Sequence, residues 1–118
     1  MRKYKAMLWV KLLRSGEYKQ GTGFLKQQEE ASAPPRYCCL GVLCEVQASL
    51  KSKISAMEYW GLKFNNGRFT PRGQAIWPPS IPENSVLLRS KTSLADLNDA
   101  GATFDQIADF IELNYKLL

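Results

Sequence analysis

The chain has 118 residues, 45% of them hydrophobic and 23% charged, the profile of one soluble globular domain rather than a disordered or two-domain chain. It contains no histidine, which excludes Ser-His-Asp and Cys-His catalysis, imidazole acid–base chemistry and every histidine-containing metal site. The net charge of +5 is uneven, because residues 1–92 hold 15 Lys and Arg against 6 Asp and Glu (+9), and residues 93–118 hold Lys116 against Asp96, Asp99, Asp105, Asp109 and Glu112 (−4).

The first five residues carry neither the apolar core nor the small-residue cleavage site of a secretory leader. Residues 3–14 predict an amphipathic helix. Ala6, Val10 and Leu13 form its stripe, Met7 and Trp9 lie beside it, and Lys3, Lys5, Lys11 and Arg14 take the remaining face. Ser15 and Gly16 close it, with glycine at the cap and a cation in the last turn. In residues 18–26, Gly21 and Gly23 permit a tight turn or a close backbone approach. As a phosphate motif this GxG is weak, since no strand-to-helix context follows.

Residues 27–36 are polar and end in Ala33-Pro34-Pro35, a loop. Residues 37–50 predict a buried helix, with Cys39, Leu43, Val46 and Leu50 on the repeat and Leu40, Cys44 and Gln47 alongside. Gly41 inside it costs about 1 kcal/mol relative to Ala, so close packing is expected there. A short strand at 36–39 paired with 23–26 is also compatible with this stretch. Asn65-Asn66-Gly67 between Phe64 and Phe69 predicts a β-hairpin over residues 62–70. An extended proline-rich surface loop at 77–82 and a short strand at 85–89 follow.

Ser93 is expected to cap a short helix, Leu94–Asp99, that stops at Gly101. Thr103 opens a second helix with a capping box to Gln106. Its inner stripe is Phe104, Ile107, Ala108, Ile111 and Tyr115, with Asp105, Asp109 and Glu112 outside. The expected fold class is α+β: one domain over residues 1–118, three or four helices packed on a short antiparallel β-sheet or hairpin. No run approaches the roughly 20 apolar residues that cross a bilayer, so a membrane partner is not expected.

Three cysteines, Cys38, Cys39 and Cys44, match neither CxxC pairs nor a zinc knuckle. They are expected to pack in the core of a protein from a reducing compartment, the cytoplasm, and no metal or cofactor is expected. Residues 94–112 have the outline of a helix-turn-helix. However, the second helix presents Asp105, Asp109 and Glu112 with no arginine, and a duplex would repel it. The basic and aromatic set Arg14, Tyr18, Lys19, Gln20, Trp60, Arg68, Arg72 and Trp77 is the candidate ligand-binding group. Guanidinium forks grip phosphates and aromatic faces stack on bases; rim packing is the competing use of the same residues. Glu45 is the one acidic residue in an apolar stretch, and burial would raise its pKa toward that of a general base.

Three blocks, LRSGEYKQGTG at 13–23, YCCLGVLCE at 37–45 and LADLNDAGATFDQIADFIE at 94–112, resemble a family of short proteins encoded by tailed bacteriophages and prophages. The resemblance implies a small accessory protein acting in the infected host cytoplasm, with no site assigned to it. The expected function is therefore non-catalytic binding of a host protein or a small anionic, nucleotide-like ligand, as in antagonism of a host defence, with a homodimer compatible. The competing classes are a small enzyme using a cysteine or Glu45, and nucleic-acid binding through the basic body.

Overall fold

The computed structural model describes residues 1–50, 76–81 and 94–118. The expected hairpin at 62–70, the strand at 85–89, the Ser93 cap, Pro82 and the side chains of Gln47 and Leu50 lie outside the described residues. Within them the chain runs α1 (Lys3–Arg14), β1 (Lys19–Gln20), β2 (Lys26–Gln27), β3 (Arg36–Tyr37), α2 (Cys39–Leu50), α3 (Leu94–Asp99), α4 (Phe104–Asn114) and a closing 3-10 turn, Tyr115–Leu117. This is the expected α+β class.

Helix α1 forms over the predicted residues and buries Ala6, Trp9, Val10 and Leu13, a stripe at three- and four-residue steps. That stripe packs on α4 and α2. The Trp9 indole N–H reaches the Cys39 carbonyl at 2.8 Å, so this large buried side chain carries no unsatisfied donor. Helix α2 is apolar on most sides: Cys39, Leu40, Val42, Leu43, Cys44 and Val46 are all buried. Full burial of each Val or Leu side chain contributes roughly 1.5–3 kcal/mol, and the glycine within the helix has its own neighbour. A Cβ on Gly41 would fall 2.7 Å from the Leu25 carbonyl carbon, so the β2 approach lies directly against α2 and only glycine fits.

Two short helices complete the core. Helix α3 ends in a Schellman motif: Ala102 N–H bonds to Leu97 O and Gly101 N–H to Asn98 O, with Gly101 at φ +107°. That backbone conformation is one glycine adopts without steric cost. Thr103 then caps α4 through the expected box, its hydroxyl accepting from Gln106 N–H while the Gln106 side chain accepts from Thr103 N–H. Phe104, Ile107, Ala108, Phe110 and Ile111 are buried on α4, a wider face than the predicted stripe because a second segment covers it.

That second segment is residues 76–81. Most of the 77–82 stretch that the sequence predicts as an extended surface loop falls here; it turns instead, with Ile81 N–H bonded to Pro78 O at 3.0 Å and Ile81 buried. Trp77 packs on Phe110, ring centroids 5.1 Å apart. The Asn114 amide pairs with both backbone groups of Ile76, as a neighbouring strand would. Ser80 hydroxyl donates to Asp109, and the Gln106 amide donates to Ser80 O.

The sheet has the order β1-β3-β2. The expected pairing of the 36–39 region with the 23–26 region is present as an antiparallel pair, shifted to Lys26↔Tyr37 and Gln27↔Arg36. On its other side β3 gains a parallel neighbour, Lys19↔Arg36 and Gln20↔Tyr37, so the sheet is mixed. Among the described residues no helix is long and apolar enough to cross a membrane.

Candidate functional site

Side chains alternate across a strand, so this small sheet presents two rows. One is Gln20, Tyr37 and Lys26; the other is Lys19, Arg36 and Gln27.

In the first row Gln20 and Tyr37 are directed inward and engaged by the fold, whereas Lys26 is exposed. Gln20 donates its two amide hydrogens to Asn98 Oδ1 at 2.9 Å and Ala102 O at 2.7 Å, and accepts from Phe104 N–H at 3.1 Å. Asn98, 1% exposed, also accepts from Cys39 N–H at 3.1 Å and donates to Gly21 O at 2.8 Å and to Asp99. Two carboxamides thereby join the β1 turn, the start of α2 and the α3–α4 corner. Asp99 adds a bond from Gly23 N–H at 3.0 Å. Tyr37 is buried, with Tyr18 meeting it edge-on at 5.1 Å and the Lys26 ammonium 5.7 Å from its ring centre. Burial, then the nearby Glu45 charge, push the Tyr18 hydroxyl up.

The second row faces outward. Lys19, Gln27 and Arg36 line a shallow recess of about 110 Å³, closed on one side by Glu29, Ala33 and Pro34. Gly21 makes this geometry fit: its N–H continues the ladder to Tyr37 O at 2.8 Å, and a Cβ there would stand 2.9 Å from Arg36 Cβ. The wall is built rather than loose. Gln28 Nε2 donates to Ala33 O at 2.8 Å and to Ala31 O, and Ala33 N–H bonds to Glu30 O. Among the described residues, neither Lys19 nor Arg36 takes part in an ion pair. Two adjacent exposed cations of this kind can hold a phosphate or carboxylate, the guanidinium in a bidentate fork and the ammonium as a point charge.

The predicted basic and aromatic set is divided by the structure. Tyr18, Lys19 and Gln20 stand at the sheet, but only Lys19 faces the recess. Gln20 is committed to Asn98, Ala102 and Phe104. Arg14 is paired at the surface with Asp109 and Glu112 of α4, contacts that raise its pKa. Trp77 is half-buried on Phe110. Trp60, Arg68 and Arg72 lie outside the described residues. Sequence reasoning missed Arg36, Gln27 and Glu29; the alternation of Lys19-Gln20 against Arg36-Tyr37 was the available signal, and it becomes informative only once the two strands are known to pair in parallel.

The cysteines are free and buried. Burial pushes the Cys38 and Cys39 thiols up and the Cys44 thiol up to about 11, so at neutral pH all three are protonated, the less nucleophilic form. Cys39 Sγ lies 3.5 Å from Leu94 O. Glu45 is half-buried beside Tyr18. Among the described residues no three cysteine or carboxylate side chains gather as a metal site.

A family model described as a domain of unknown function, DUF8296, matches residues 1–115, and the chain belongs to that family. No curated protein and no solved structure matches it.

Proposed function

We propose that this chain is a non-catalytic accessory protein, of the kind the three sequence blocks resemble in tailed phages, and that it binds a small anionic, nucleotide-like ligand on the outer face of its sheet. The observation that carries the reading is the Lys19–Arg36 pair, side by side in strand register, exposed and outside any ion pair among the described residues. Arg14 makes the contrast: its charge is already met by two carboxylates. A recess of about 110 Å³ is well below the roughly 300 Å³ at which drug-sized pockets begin. It suits one phosphate group, with the remainder of the ligand lying outside over Pro34. Three reduced thiols suit a cytoplasmic setting.

The test is thermal stability of the full chain against inorganic phosphate, pyrophosphate, adenosine monophosphate and cyclic dinucleotides. Ligand at about ten times its Kd stabilises by roughly 1.4 kcal/mol, several degrees in Tm for a domain of this size. The expected result is a rise with at least one phosphate compound, lost in Lys19→Ala and in Arg36→Ala. No rise with any of them overturns the reading.

A further inference from the structure

Glu29 is an unexpected presence in an anion site. It lines the same recess as Lys19 and Arg36, yet forms an ion pair with neither. The loop that carries it is braced on either side of it. The Gln28 amide ties back to Ala31 and Ala33, Ala33 N–H closes a turn on Glu30, and Pro34 and Pro35 lead directly into β3. Proline locks φ near −65° and stiffens that junction. A carboxylate lining the same recess as two cations does two things. It lowers the net charge of the recess from two positive charges to one, which weakens attraction for a bare phosphate dianion. It also offers an acceptor to a donor carried next to the phosphate.

Resting on the anion-binding reading above, we infer that the recess selects a phosphomonoester whose attached group carries a hydroxyl, as a sugar phosphate does: the phosphate lies on Lys19 and Arg36, and the hydroxyl donates to Glu29. Gln27, on the same row, supplies a further amide to either group. Ligands lacking the hydroxyl leave the carboxylate facing the phosphate without a bridging donor, and bind less well.

Two phosphomonoesters of similar size separate these effects: glycerol 3-phosphate, which carries hydroxyls, and propyl phosphate, which does not. Titration of the full chain, followed by calorimetry or by backbone amide shifts, is expected to show glycerol 3-phosphate binding about tenfold more tightly than propyl phosphate, the worth of one hydrogen bond to a charged group. In Glu29→Ala, an exposed position, that preference is expected to fall below about threefold while inorganic phosphate binds more tightly than it does to the unmodified chain. Equal binding of the two esters, or a preference that Glu29→Ala leaves intact, overturns the selection role while leaving the anion site standing. Failure of all three compounds to bind overturns the anion site itself, and this inference with it.

Discussion

The two rows of the sheet are one residue apart in sequence and opposite in use. Gln20 and Tyr37 face the protein, with the exposed Lys26 set against the Tyr37 ring, and the polar groups of Gln20 and its partner Asn98 are all bonded. Lys19, Arg36 and Gln27 face outward around an open recess. A buried amide left without partners costs 1–3 kcal/mol, so the inner row is constrained by folding. An exposed cation carries no such penalty, so the outer row is unconstrained by folding and available for binding. Substitutions along each row sharpen or break that division.

Asn98→Ala is expected to have the largest effect. It strips partners from the Cys39 amide, the Gly21 carbonyl and Gln20 together, and is expected to cost about 4 kcal/mol, read as a lower midpoint in urea denaturation. Gln20→Ala leaves Asn98 with its other bonds and exposes one end of α4, since Phe104 N–H loses its acceptor; a loss of about 2 kcal/mol is expected by the same measurement.

The Arg14–Asp109–Ser80 group comes next and is smaller, because exposed ion pairs contribute at most about 1 kcal/mol. The Ser80 hydroxyl first, then Arg14, hold the Asp109 carboxyl below its ordinary 3.8. The folded chain therefore takes up that proton less readily than the unfolded chain. Its contribution is complete above pH 3.8 and is lost as pH falls through the lower, folded value. Asp109→Asn is expected to flatten that part of the stability–pH curve. Smallest of all, Lys19→Ala and Arg36→Ala are expected to change stability by less than about 0.5 kcal/mol. A loss of several kcal/mol in either would place the outer row in the folding machinery and erase the contrast.

What could be read in the sequence was what depends on near neighbours. Helix α1, the Thr103–Gln106 box and the glycine turn after α3 are each set within a few residues, and each formed over the predicted positions. Gly41 announced close packing but not its neighbour, since the Leu25 backbone is 16 residues away in the chain. Phe110 escaped the predicted stripe because its cover, Trp77, comes from another segment. The candidate site was half legible for the same reason. Lys19 was found, but Arg14 and Gln20 are engaged by partners 78 to 98 residues distant, and Arg36 gained a cationic neighbour only through a parallel pairing that no local pattern encodes.

The Asn98 carboxamide has a consequence for how the molecule comes apart. It and Gln20 hold backbone groups from three distant stretches: Gly21, Cys39 and the Ala102–Phe104 corner. No one of these can open without breaking bonds shared with the other two. Hydrogen exchange at the Cys39 and Phe104 amides should consequently follow a single opening event, and each should slow or quicken with the other as denaturant is varied. A cut anywhere between those stretches would leave fragments whose surviving polar groups look for partners on the missing piece.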